Sequence, residues 1–402
     1  MATQSVGCAG RTFWHIDCEA IYGVGNNGNG QVGQGNTFGR LVDWRHITGS
    51  GDSSVNVVSV QAGHGMYGDS YSAMFEVSGS NGYSLYGLGN AGNSVFKDNA
   101  GAQSWSRPEF VIGNGANSFD DYAFNTNKAL FVKSGDLYAK GSTNYGALGA
   151  TLANQGSVVT QPTLMKEGGV TKCAVSDFNT YYIQSGDLYG MGPNWYANLG
   201  FEQNFMTNYD SYKIAEGGVT EVDAAGGSVA FIQSGKLYAC GRNDDGQFGI
   251  GDSWNQYDPV DDDFSPIYIT GENENNKRVI SVSLSSNNMF LIIGDGASAG
   301  EGTLYGAGRN DYGTVGIGVS GADVEDLTEV TGSRVMAVDT FSRGSICYIA
   351  GSGVFVWGDI YREFSALTSS SPVTSPWHSE EIDPMCVGDP HIYPLFGKPY
   401  DL

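Results

Sequence analysis

The residues able to do chemistry are sparse and scattered. Five histidines, His15, His46, His64, His378 and His391, stand singly, and no two have the spacing of a helical or hairpin metal site. The six cysteines, Cys8, Cys18, Cys173, Cys240, Cys347 and Cys386, form no Cys-x-x-Cys pair and no cluster. Neither a metal site nor a disulfide framework is expected from them. Most lie in apolar, strand-like runs, where a thiol serves as a small buried hydrophobe. No Gly-x-Ser-x-Gly elbow joins a strand to a helix, and no lysine follows a glycine loop as phosphate binding requires. The acidic run Asp258-Pro259-Val260-Asp261-Asp262-Asp263 has oxygen ligands for a hard cation, but not the alternating spacing of a calcium loop. It reads as a solvated acidic loop. No catalytic residue, metal or cofactor is expected.

Charge narrows the partners. Among 402 residues, 20 Lys+Arg against 43 Asp+Glu give a net charge of −23, which repels nucleic acid and anionic membrane surfaces alike. No apolar stretch approaches the ~18 residues of a membrane span. The first residues, Met1 to Gly7, have neither the basic nor the apolar region of a signal peptide.

Stepping along the chain, a short pattern returns at a nearly fixed period. A Leu-Tyr or similar pair precedes glycines at Ile21-Tyr22-Gly23-Val24-Gly25, Leu85-Tyr86-Gly87-Leu88-Gly89 and Leu137-Tyr138-Ala139-Lys140-Gly141. It recurs at Leu188-Tyr189-Gly190-Met191-Gly192, Leu237-Tyr238-Ala239-Cys240-Gly241 and Leu304-Tyr305-Gly306-Ala307-Gly308, with a worn copy at Phe355-Val356-Trp357-Gly358. The steps are 64, 52, 51, 49, 67 and 51 residues. Upstream of the pairs lie β-branched runs and a tight turn, which is Ser-Gly at Ser134-Gly135, Ser185-Gly186 and Ser234-Gly235; downstream lies a glycine-rich corner. No window carries a sustained 3.6-residue apolar period, so long helices are not expected. A unit of about four short strands cannot bury its apolar face alone, and radial stacking of such units buries it while leaving only short edges. The expected fold is therefore all-β, a seven-bladed β-propeller.

The corners carry a resemblance. Gly25-Asn26-Asn27-Gly28-Asn29-Gly30-Gln31-Val32-Gly33-Gln34-Gly35, residues 241–251 and residues 308–318 resemble the repeat of the regulator of chromosome condensation family. The third repeat keeps Gly141, Asn144, Gly146, Leu148 and Gly149; the fourth has lost one glycine, and the second and seventh are degenerate past the first. The resemblance implies the propeller over residues 1 to about 380. Its members include a guanine-nucleotide exchange factor for a small GTPase, a plant UV-B photoreceptor, parts of ubiquitin ligases and a protein inhibitor of β-lactamase, so fold alone does not select an activity. Trp44-Arg45-His46 is similar to a motif that the photoreceptor repeats in several blades, but it occurs here once.

Two insertions and a tail stand outside the repeat. Residues 36–56 carry Phe38, Trp44 and Arg45; the stretch after residue 251 carries Trp254, Tyr257, Phe264 and Tyr268 beside its aspartates. Aromatics on loops held by a rigid scaffold suit a contact surface, which places it at Phe38, Trp44, Arg45, Trp254, Tyr257, Asp261, Asp262 and Asp263. Six of the eleven prolines fall in the last 31 residues, a composition that reads as linker rather than a continuing ladder of strands. The expected division is a propeller over 1–371 and an extended tail over 372–402. Within that tail, Cys386-Val387-Gly388-Asp389-Pro390-His391 and Phe396-Gly397-Lys398-Pro399-Tyr400 resemble the opening of a von Willebrand factor type D domain. That resemblance implies either a longer polypeptide or a docking arm, with Asp389-Pro390 as a processing point. The expected function is a non-enzymatic, acidic scaffold presenting loops to protein or glycan partners or to neighbouring subunits, with a composition resembling virion proteins. The alternative implied by the family is nucleotide exchange on a small GTPase.

Overall fold

The computed structural model describes residues 6–379 apart from 18, 38, 48–55, 64–71, 92–94, 97–102, 150–155, 202–203, 254–266, 271–277, 295–300, 361–363 and 365–370. Strands dominate, and the one helical element among the described residues is a 3-10 turn at Asn144–Gly146. The Ser-Gly pairs make the two-residue hairpins that their composition demands. Ser134 and Gly135 have φ of 53° and 81°, and Ser185-Gly186 and Ser234-Gly235 repeat this left-handed pair.

Five four-stranded antiparallel sheets and one seven-stranded sheet make seven blades, at residues 6–46, 56–115, 121–166, 170–215, 219–270, 278–335 and 335–378. The last two blades share one strand, Val324–Phe341. Up to Val335 it is the outer strand of blade 6; from there it is the first strand of blade 7, turning at Arg334 with φ of 75°. The first strand of a blade lies innermost, beside the first strand of its neighbour. Seven separate apolar clusters fill the seven junctions, so the core sits between blades rather than at a single centre. The Leu of each Leu-Tyr pair is fully buried in such a cluster, as at Leu85, Leu137, Leu188, Leu237 and Leu304. The second glycine of the pair's tail has no substitute: a Cβ on Gly308 (φ 114°) would stand 2.2 Å from the Asn287 carbonyl oxygen.

Among the described residues no strand is exchanged between the first and last blades: the strand Val6–Ala9 pairs with Thr12–Asp17 of its own blade. Side chains close the ring instead. Cys8 N donates to Asp339 Oδ2 at 2.7 Å, and the His15 ring stacks on Tyr348. Cys8, Cys173, Cys240 and Cys347 are buried free thiols.

The outer strands revise two sequence expectations. Opposite the motif glycines, four residue steps of the outer strand face two of the third strand, as where Gly87 and Gly89 meet Glu109 and Trp105. The same bulge recurs in blades 1, 3, 4, 6 and 7. Its last residue is Trp44, Pro108, Pro162, Ser211, Leu327 or Pro376. A bulge on an edge strand leaves a residue out of the ladder, and there proline's missing N–H loses nothing. The first residues of the proline-rich stretch therefore do continue the sheet: Val373–His378 is the outer strand of blade 7, and the propeller extends past residue 371, while residues 380–402 lie outside the described residues. Trp44 likewise belongs to a strand, Arg40–His46, and its bulge turns the indole fully into the core.

Candidate functional site

Antiparallel order puts the turn between first and second strands on the same face as the glycine-rich corner after the third. On this corner face, a buried asparagine clamps each well-kept corner. Asn243 Oδ1 accepts from Phe248 N at 2.8 Å, and its Nδ2 donates to Asp252 O at 3.1 Å. Asn27 does the same with Val32 and Asn36, Asn194 with Leu199 and Phe201, and Asn310 with Val315 and Val319. Blade 3 has Thr143 at this place. Its shorter hydroxyl bonds Ser157 in both directions, at 2.9 and 3.1 Å. The corner tightens into the 3-10 turn, and Tyr145 takes φ 58° and ψ 22°. An aromatic residue in the left-handed region costs about 1–2 kcal/mol, and Tyr145 is 39% exposed.

The fourth residue after the second glycine meets the first turn of the next blade, and one pair closes each described junction. The turn position is fixed by whose carbonyl faces that glycine: Asn287 faces Gly308, Arg343 faces Gly358 and Phe178 faces Gly192. Between blades 3 and 4 the pair is Tyr145 and Phe178, with ring centroids 5.0 Å apart. Between 4 and 5, Tyr196 lies over Gly227, where a Cβ would come within 2.8 Å of the ring. Between 5 and 6, Asn287 Nδ2 donates to Asp245 Oδ2 at 2.7 Å. Between 6 and 7, the Arg343 guanidinium sits 4.8 Å above the Tyr312 ring.

Two arcs of different chemistry result. In the aromatic arc, Trp195 meets Tyr145 edge-on at 5.3 Å and lies tilted against Phe178 at 4.9 Å. Blade 3 holds this arc from below. Lys128 Nζ donates to the Ser176 and Asp177 carbonyls at 2.8 and 3.0 Å, and Asn125 Nδ2 also donates to Ser176 O. Burial pushes the Lys128 ammonium down to about 7, against the opposing pull of Asp177. In the charged arc, arginines meet the chain's own carboxylates: Arg242 with Asp244 and Asp245, Arg309 with Asp311, and Arg11 and Arg343 with Asp359.

Toward the opposite end of the inner strands, Lys172 of blade 4 lies 3.9 Å from Asp121 of blade 3 and 3.3 Å from Glu221 of blade 5. The Asp121 charge, above all, holds Lys172 above the usual lysine range, while burial raises both carboxyls. This triad bridges three blades and is a structural tie. Among the described residues no group of His, Cys, Asp and Glu is arranged to hold a metal.

Of the sequence-derived contact residues, Trp44 is fully buried and is thereby removed from any surface. Arg45 is 42% exposed on the outer strand of blade 1, 3.7 Å from Asp43, away from the corner face. Phe38, Trp254, Tyr257, Asp261, Asp262, Asp263, Asp389 and Pro390 lie outside the described residues. The aromatic arc was not anticipated. Its one sequence signal is the paired deviation of neighbouring repeats: Thr143 replaces the corner asparagine, and Trp195 stands where other corners carry Gly28, Asn144, Asp244 or Asp311.

Comparison with known proteins agrees with this architecture. The model of the regulator of chromosome condensation (RCC1) repeat matches residues 234–292. No curated protein matches the chain. Among solved structures, the chain is similar to Prp20p from Saccharomyces cerevisiae, described with its binding to Gsp1p and histones, at TM-score 0.63 and 17% identity over 83% of this chain and 79% of that one. It is similar to human WBSCR16 at 0.64 and 17%, over 83% and 84%, and to yeast RCC1 (Prp20) bound to Kap60 at 0.65 and 14%, over 94% and 84%. At these identities the likeness is one of fold.

Proposed function

We propose that this chain is a non-enzymatic binding module that docks a protein partner on the corner face at blades 3 and 4. One observation carries the reading: Tyr145, Phe178 and Trp195, from three loops of two blades, form an aromatic platform at the surface, and Tyr145 is held there in a costly backbone conformation. Aromatic anchors on a rigid support lose little entropy on docking and dominate interface energetics. The blades behind them supply the rigidity.

A photo-crosslinking amino acid at Tyr145, with a control at the rim residue Tyr268 (50% exposed), tests this in an extract of the source cells. A protein adduct identified by mass spectrometry at 145 and absent at 268 is expected. Adducts equal at both positions, or a glycan adduct at 145, would overturn the protein-docking reading. Exchange on a small GTPase remains the alternative, supported only by likeness of fold to a protein described as binding Gsp1p. Accelerated release of labelled guanine nucleotide by the purified chain, lost on Tyr145→Ala, would join the two readings.

A further inference from the structure

The protein caps several of its own tyrosines with cations. Lys133, Lys166 and Lys213 lie over Tyr138, Tyr182 and Tyr189 at 5.6, 5.7 and 5.7 Å, and Arg343 lies over Tyr312 at 4.8 Å. The last pair is the informative one. Tyr312 stands four residues after Gly308, as Tyr145 stands four after Gly141. Arg343 and Phe178 occupy the same turn position of the following blade, each presenting its carbonyl to the second motif glycine. The same scaffold position thus delivers a guanidinium to one corner tyrosine and a second ring to the other.

Building on the docking reading above, we propose that the Tyr145–Phe178 platform recognises an arginine side chain in a basic segment of the partner protein. The partner supplies from outside what Arg343 supplies within blade 7. Charge complementarity points the same way. The chain carries −23, and four arginines of the corner face, Arg11, Arg242, Arg309 and Arg343, already meet its own carboxylates, while the Lys128 ammonium beneath the platform is buried against the Ser176 and Asp177 carbonyls, so these groups offer little repulsion to an incoming cation. A guanidinium suits the site better than an ammonium because its plane stacks on a ring while its edge still donates hydrogen bonds.

The test titrates the full chain with a Gly-Ser peptide carrying spaced arginines, and with versions carrying lysine or the neutral isostere citrulline, at physiological salt. The arginine peptide should bind, the lysine peptide should bind less tightly, and the citrulline peptide should not bind. Tyr145→Ala should weaken the arginine peptide about tenfold, while Tyr268→Ala leaves it unchanged. Phe178→Arg, which copies the blade 7 residue, should cap Tyr145 from within and abolish binding in a chain whose circular dichroism matches the parent. Equal binding by parent, Tyr145→Ala and Phe178→Arg would mean generic attraction to an acidic protein and would overturn the inference. So would equal affinity for the lysine peptide. If crosslinking at 145 captures a partner but the arginine peptide does not bind, this inference fails while the docking reading stands; if both experiments are blank, both fail.

Discussion

The blade 3–4 and blade 6–7 junctions are built on one plan and filled with opposite chemistry. At 6–7, Tyr312 is covered by Arg343, and Arg343 in turn meets Asp359, which also holds Arg11 of blade 1. Every group there finds its partner within the protein, and the junction serves closure of the ring. At 3–4, Tyr145 and Phe178 offer rings to each other and to solvent. The asparagine clamp is retained at blade 6 as Asn310 and lost at blade 3, where Thr143 stands. A repeat that obeys the consensus stabilises the scaffold; one that departs from it is free to present something.

If that contrast holds, the largest effects belong to the closed side. Asp339 is 1% exposed and accepts from Cys8 N, Thr340 N and Ser283 Oγ, tying blades 6, 7 and 1. Asp339→Ala strands those donors and should lower the urea unfolding free energy by about 4 kcal/mol. A seam variant as stable as the parent would break the comparison.

Next comes acid. Burial pushes His15, 3% exposed at the same seam, from 6.5 down to about 4. Tyr348 and Trp44 are the aromatic neighbours of its ring. A depressed folded value means that the unfolded chain takes up the proton first. The contribution is therefore intact above pH 6.5 and is lost as pH falls through about 4, a change of about 3 kcal/mol. His15→Phe should flatten the unfolding midpoint across that window, and an unaltered slope would exclude this histidine as the cause.

Asn243→Ala removes a fully buried clamp and should cost about 2 kcal/mol by the same denaturation. The smallest effect has the opposite sign. Tyr145→Asn, a residue tolerant of left-handed backbone, should raise stability by about 1 kcal/mol while weakening partner capture. Should it destabilise instead, the tyrosine would be serving the scaffold, and the contrast between the two junctions would lose its meaning.

Much of the scaffold was legible in the primary structure because its signals are local. The Ser-Gly turns need left-handed φ within two residues, and the Gly-x-Gly corners need close approach to a neighbouring backbone. The candidate site was far less legible. Tyr145 and Phe178 are 33 positions apart in different repeats, and nothing local says that a corner meets the next blade's turn. Trp44 read as a loop aromatic because the outer-strand bulge that buries it has no residue signature of its own: tryptophan, proline, serine and leucine all occupy it. Pro376, one of the C-terminal prolines, reads as linker for the same reason. Pro376 is the counterpart of Pro108 and Pro162, a kinship visible only in strand register.

The sequence by itself determined the number of blades, the strands within them and the hairpins joining them, since each follows from short-range sterics and a repeated apolar pattern. Only the tertiary structure decided which corner residue faces which turn. That choice separates a junction satisfied within the protein from one left bare, because such contacts form between segments that the chain brings together only on closing the ring.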